Sequence, residues 1–296
     1  MKRRNLSGLS APLSGLLLVL SFPNFNLWPL AWVALVPFYL AIIHHRTHPP
    51  SPLPSPKEEK GKGGILTLLR RGRVAEGRGR VGSGFWLGFT IFLTGVYWIS
   101  ELNGSTPADK LFPWIGLAAI QGSFFACFAH LAGGVIPKLP TLARPVAFAA
   151  GWVTFELIRS LGTLNFPWMI LAVSQAYGGG LLALQWVSVG GQWLLSFLIA
   201  LVNGLLAEAW RTRAWKPGLV AGALLMTVFI GGAGFMASWK ARLSAYSSDH
   251  SGLSVAALQG GREASDGVPD YAPLTEQAKA QLIIWPEAAA GPLVGA

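Results

Sequence analysis

Seven long apolar stretches, separated by shorter polar ones, occupy the first 236 residues: about 8–22, 28–43, 81–100, 112–136, 145–162, 181–209 and 217–236. A helix needs roughly 20 apolar residues to cross a bilayer; the first two stretches are short for this and the others are near or above it. The pattern predicts a polytopic α-helical membrane bundle over 1–236. Beyond it the period changes. Leu253–Leu258 reads as a short buried strand ending at Gln259-Gly260-Gly261. Turn residues follow at Asp266-Gly267 and Val268-Pro269-Asp270, then a short helical segment over Pro273–Gln281 and a second buried strand over Leu282–Trp285. Strand, helix and strand with continuous apolar strands predict an α/β unit with a parallel sheet. A chain of about 60 residues hides only about 60% of its surface, so 237–296 is expected to open a larger domain that it does not complete.

Composition agrees with the pattern. Charged residues make up 12% of the chain, against about 25% in soluble domains. The 36 glycines and 13 tryptophans suit close helix approach and interfacial anchoring. A net charge of +10 points to nucleic acid only until the charges are placed. Lys2, Arg3 and Arg4 precede the first span. Arg46, Lys57, Lys60, Lys62, Arg70, Arg71, Arg73, Arg78 and Arg80 lie in the loop 44–80. Lys138, Arg144, Arg211, Arg213 and Lys216 lie in later loops of the same side. Seventeen of the 23 basic residues thus share one face of the membrane, and before the tail the other face has Lys110. This asymmetry marks the cytoplasmic side. The N-terminus is expected there, the tail on the extracytoplasmic side, and no nucleic-acid partner is expected.

Phe22-Pro23-Asn24-Phe25 stands where a signal peptide would carry its small-residue cleavage site, so the first span is read as retained. The loop 44–80, rich in Pro, Gly and charge, is expected to be disordered; fixing topology is favoured over contact with anionic lipid heads. Its His44, His45 and His48 lack cysteine or carboxylate company for a metal, and no metal or cofactor is expected. The single cysteine, Cys127, excludes an internal disulfide.

Four places could carry chemistry. Glu156 and Arg159, three apart in the fifth span, share a helix face. Intramembrane charges usually pair and face protein or water, so the pair is read as a structural ion pair or as a lip holding the outer domain or a lipid head group. The uncharged stretch 162–180 follows, with Asn165-Phe166-Pro167-Trp168 turning the chain; it is either a plain connector or a re-entrant piece that admits an acyl chain. Cys127 lies in an apolar span, where a thiol is inert, and is read with His130 as a packing residue. Glu287, just past the second strand in Trp285-Pro286-Glu287, stands at the strand end where α/β folds gather ligands. A carboxylate partly buried there suits a general base, a solvent-exposed loop glutamate being the alternative.

These segments resemble the apolipoprotein N-acyltransferase family of bacterial membrane enzymes. The likeness rests on LSFPNFNLWPLAWVALVPFYLA at 20–41, WVTFELIRSLGTLNFPWMILAVSQ at 152–175, LLSFLIALVNGLLAE at 194–208, and VAALQGG and LIIWPEAA in the tail. It implies a membrane bundle carrying an extracytoplasmic nitrilase-like α-β-β-α domain with a Glu-Lys-Cys triad. It also implies an acyl donor, a phospholipid, and an acceptor, a diacylated lipoprotein whose N-terminal amine receives the chain through a cysteine thioester. The location implied is the bacterial inner membrane. The family's glutamate falls on Glu287.

The family's lysine and cysteine follow the W-P-E motif, and Lys279 precedes Glu287 and takes no role by motif. The chain is therefore expected to be a C-terminally truncated or split product, without acyl transfer on its own. The alternative is a non-catalytic membrane protein, a pseudoenzyme or a fragment that binds lipid or a partner. A solute transporter is less favoured because no second copy of LNFPW marks a related half; a soluble-type amidase tethered to the membrane does not account for the bundle motifs. An alkaline phosphatase fused after Ala296 is expected to be active, and a fluorescent reporter there that needs the cytosol is expected to stay dark; the reverse pattern would overturn the crossing count.

Overall fold

The computed structural model describes residues 7–44, 64–101, 106–162, 165–249, 252–258 and 272–284. Its contacts divide the chain into two units, Met1–Met236 and Ala237–Ala296. The first is helical: α1 (Ser7–Ser21), α2 (Ala31–Ala34), α3 (Val36–His44), α4 (Gly64–Gly95), α5 (Pro107–Val135), α6 (Ala143–Arg159), α7 (Gly180–Leu184) and α8 (Val187–Thr212), with α9 (Trp215–Asp249) running past Met236. Among the described residues, three helical segments are long and apolar enough to cross a membrane, 107–138, 187–212 and 215–246, and two shorter apolar ones cover 9–21 and 28–43.

The breaks between helices show how the sequence is read locally. After α1, Asn24 and Asn26 take positive φ values of 95° and 59°, which asparagine tolerates. Pro29 then opens a 3-10 turn at Trp28–Leu30. Between α2 and α3, Pro37 removes a backbone donor and interrupts the helix. The groups left over are taken up by neighbours: the Leu35 amide donates to Asn203 Oδ1 at 2.8 Å and the Phe38 amide to Ser14 Oγ at 3.0 Å. Asn203 Nδ2 in turn donates to the Ala31 and Ile199 carbonyls, both at 2.9 Å.

Residues 64–80, expected to belong to a disordered loop, form the first half of α4. The prolines that discourage structure end at Pro56, whereas 65–80 is rich in Leu and Arg, which favour helix. Composition averaged over the whole loop hides this change. Further along, α4 meets α5 at backbone distance. A Cβ placed on Gly84 would stand 2.1 Å from the Phe125 carbonyl oxygen, one on Gly88 2.5 Å from the Phe125 ring, and one on Gly122 3.0 Å from the Phe85 carbonyl. Small residues permit such contact, and dispersion between the backbones rewards it. α8 kinks at Gly190–Gly191, where Gly191 has φ 66°.

Two ends are secured by charge. At the start of α5, Thr106 and Asp109 form a reciprocal cap, with the Thr106 amide donating to Asp109 Oδ2 at 3.0 Å and the Asp109 amide to Thr106 Oγ1 at 3.3 Å. Near the C-terminal end of α8, Glu208 is buried. It accepts from Tyr39 Oη at 3.0 Å and from Arg211 Nε and Nη2 at 2.9 and 2.6 Å. Arg144 Nη1 stands 3.8 Å from it and also donates through Nε and Nη2 to the carbonyls of Leu139 and Pro137. This knot ties α3, α6 and α8.

The second unit holds β1 (Val255–Ala257), α10 (Ala272–Gln277) and β2 (Leu282–Ile284), the strands pairing in parallel with Val255 opposite Leu282. Leu282 N–H donates to the Ser254 carbonyl and Leu258 N–H to that of Ile284. The strands were expected to be buried. Instead Val255 is 51% exposed and Ile284 49%: one strand pair with a six-residue helix supplies no second layer among the described residues.

Gly84→Ala is expected to force α4 and α5 apart and to lower unfolding stability by about 1–3 kcal/mol. Gly82→Ala, with nothing within 4 Å of the new methyl, is expected to be neutral or to stabilise by up to about 1 kcal/mol; thermal unfolding of the detergent-solubilised chain measures both.

Candidate functional site

Trp152, Glu156 and Arg159 recur at helical spacing and lie on the buried face of α6, each 2% exposed. Within an apolar bundle, every polar atom on that face needs a partner. The two charged groups do not form the expected direct ion pair, unlike Glu208 with Arg144 and Arg211. Each instead reaches the chain that leaves α6. Glu156 Oε1 accepts from Trp152 Nε1 at 2.9 Å and from the Leu171 amide at 2.8 Å. Arg159 Nη1 donates to Gln121 Oε1 at 3.0 Å, and Nη2 to the Trp168 carbonyl at 3.2 Å. The Arg159 guanidinium sits 5.0 Å from the ring centre of Phe92 and 5.5 Å from that of Phe125, a favourable setting for a desolvated cation.

The segment so held, residues 165–175, is non-helical up to a 3-10 turn at Leu171–Gln175. Its remaining backbone and side-chain groups are also claimed. Phe166 N–H donates to the Arg159 carbonyl and Ala172 N–H to Ser196 Oγ. Gln175 accepts from Trp32 Nε1 at 3.0 Å and donates to the Trp28 carbonyl at 3.2 Å. Met169, between the Arg159 and Glu156 bonds, has φ 59°. An unbranched but bulky residue in the left-handed region costs of order 1–3 kcal/mol and persists only where its surroundings over-determine it; here two buried side chains grip the backbone on either side of it.

Of the residues singled out from sequence, Glu156 and Arg159 therefore lie beneath this segment, while Asn165 is exposed and Trp168 is 49% exposed, its ring 5.1 Å from Trp98. Cys127 and His130 were read as packing residues; both are exposed on α5, His130 with its Cε1 beside Gly77 of α4. Glu287 lies outside the described residues. Gln121, Ser196, Gln175 and Glu208 were not singled out, and all are buried. The available signal was a polar residue inside an apolar window, which in a membrane span marks a tertiary contact. Glu156 Oε2, Arg159 Nε and Gln121 Nε2 are buried without a hydrogen-bond partner.

The model of the apolipoprotein N-acyltransferase N-terminal domain matches residues 14–52 and 64–205, which include this whole cluster. The chain belongs to the apolipoprotein N-acyltransferase family. It is 31% identical to an apolipoprotein N-acyltransferase of Pseudomonas syringae pv. tomato over 96% of this chain and 51% of that protein. It is 30% identical to that of Azotobacter vinelandii over the same shares, and 31% identical to that of Gloeobacter violaceus over 78% of this chain and 40% of that one. The chain thus spans about half the length of the curated relatives it matches. With its apolar helices, membership makes it a membrane protein of an acyltransferase family.

Although unbonded, Glu156 and Arg159 balance each other's charge, so their removal should not be additive. Arg159→Gln leaves a buried carboxylate uncompensated and is expected to cost about 3–5 kcal/mol. Glu156→Gln/Arg159→Gln is expected to recover about 1–3 kcal/mol relative to the sum of the single changes. A double-mutant cycle of unfolding in detergent measures this; strict additivity would mean that the two charges are independent.

Proposed function

We propose that this chain supplies the membrane bundle and the leading strand pair of an apolipoprotein N-acyltransferase. The reaction is transfer of an acyl chain from a phospholipid, through a cysteine thioester, to the N-terminal amine of a diacylglyceryl-cysteine lipoprotein in the bacterial inner membrane. The observation that carries the reading is likeness to named N-acyltransferases over 96% of the chain, the tail included. The parallel pairing of Leu282–Ile284 with Val255–Ala257 supports the start of a nitrilase-like α-β-β-α domain after residue 236.

In this scheme Glu287, three residues beyond β2, is the general base. Its carboxylate takes the proton of a thiol; the thiolate attacks the ester carbonyl of the donor, and a lysophospholipid leaves with the proton. The lipoprotein amine then attacks the thioester, and the thiol is restored as the amide forms. Splitting the transfer in this way replaces one difficult step by two easier ones. The thiol and the oxyanion-stabilising lysine have no counterpart by motif in these 296 residues: Cys127 lies in the bundle and Lys279 precedes Glu287. The chain alone is accordingly proposed to be inactive. Asn165 and Trp168, exposed on the segment clamped by Glu156 and Arg159, are proposed to border the path of the donor lipid, where an indole suits the glycerol level of a bilayer.

Acyl transfer from phospholipid to a synthetic diacylated lipopeptide tests the reading. The chain alone is expected to show no turnover above its Glu287→Gln variant. Joined to a segment carrying the family's lysine and cysteine, it is expected to turn over, and Glu287→Gln to reduce that rate by about 10²–10⁴-fold. Turnover by the chain alone would refute the proposed inactivity, and indifference of the joined protein to Glu287→Gln would remove the base. Failure of the joined protein would favour the non-catalytic alternative.

A further inference from the structure

α8 and α9 form an antiparallel hairpin. Trp186, just before α8, donates through Nε1 to the Val228 carbonyl at 2.8 Å, and a Cβ placed on Gly218 would lie 3.8 Å from that of Ala209. Both helices are long and apolar enough to cross a membrane, so the turn between them, 213–214, emerges at a bilayer surface. Trp210 and Trp215 flank that turn, each 69% exposed, and indoles settle at head-group level. Arg213 takes a left-handed φ of 56° and holds its guanidinium 5.8 Å from the Trp210 ring centre. Arg213 and Lys216 are both exposed.

Four cations gather at this level against one carboxylate. Arg211 in the last turn of α8 and Arg144 in the first turn of α6 both meet Glu208. No other acidic residue lies between Glu156 and Asp249. Glu208 is therefore fully engaged, and among the described residues no carboxylate pairs with Arg213 or Lys216. The surplus is positive, exposed and at the depth of lipid phosphates. That setting selects a chemistry. A soluble anion gains nothing from the two exposed indoles. A zwitterionic phospholipid brings its own ammonium, which the surplus charge repels. An anionic phospholipid offers a phosphodiester to the cations and a glycerol with its first acyl carbons to the indoles.

We propose that Arg213 and Lys216 hold the phosphate of an anionic phospholipid, with Trp210 and Trp215 beside its glycerol. Arg144 and Arg159 stand about 22 Å apart along α6, so this lipid lies at the other end of that helix from the path proposed for the acyl donor. Its test reads binding alone and stands or falls independently of acyl transfer.

The full chain is placed in nanodiscs with one of two probes, phosphatidylglycerol or phosphatidylcholine, each carrying a photoreactive group on its first acyl carbons. Two basic groups at a lipid surface favour an anionic head group by roughly tenfold or more. Phosphatidylglycerol is therefore expected to label peptides containing Trp210 or Trp215 about tenfold more than phosphatidylcholine. Arg213→Gln/Lys216→Gln is expected to lower the preference to about twofold. Lys240→Gln/Arg242→Gln removes the same charge from exposed residues further along α9 and is expected to leave it unchanged. Equal labelling of the unaltered chain by both probes, or none at these peptides, overturns the proposal without any variant. So does a preference that survives Arg213→Gln/Lys216→Gln, or one that falls equally in both double variants, which would make it a matter of net charge.

Discussion

Backbone amides and carbonyls have no water to turn to in the hydrocarbon of a bilayer, and each must find a partner inside the protein. A continuous helix satisfies this by itself; an interrupted one does not. Among the described residues, two interruptions of the bundle's helices, between α2 and α3 and after α6, find their missing partners in buried side chains from distant sequence. Asn203 answers for Ala31 and Leu35 at the first. Glu156, Arg159 and Ser196 answer for Leu171, Trp168 and Ala172 at the second. Gln175 then joins the two breaks by bonding Trp28 and Trp32. The few buried polar residues of a chain that is 12% charged are thus spent on irregular backbone.

The same economy explains where the helices touch. α4 and α5 instead meet backbone against backbone at Gly84, Gly88 and Gly122, with Trp114 Nε1 donating to the Leu93 carbonyl at 3.0 Å beside them. At the opposite end, two of the arginines that set the charge asymmetry, Arg144 and Arg211, converge on the buried Glu208 together with Tyr39. Those cations therefore also fix three helices to one carboxylate. A buried carboxylate held by three side chains is a costlier thing to move than a surface ion pair.

Much of this could be read from the chain. The helices fall on the apolar stretches because length and apolarity are enough to define them, and the parallel strand–helix–strand order of the tail was visible in its change of period. The α6 pair was noticed because charges are rare there. What could not be read was partnership: nothing local says that Glu156 bonds an amide fifteen residues on instead of the arginine one turn away, or that Asn203 serves a break at Leu35. Helical residues 64–80 were misjudged because proline at 49–56 coloured a window that also held good helix formers. Burial of β1 and β2 was misjudged because apolar content speaks of what a strand can pack against, not of what is present to cover it.

The Glu156–Arg159 arrangement has one more consequence. Had the two closed a salt bridge, their charges would have been spent on each other and the segment after α6 would have lacked two of its anchors. Held apart, each bonds the backbone of that segment. The left-handed Met169 therefore depends on both side chains at once, because the loss of either frees the backbone on one side of it.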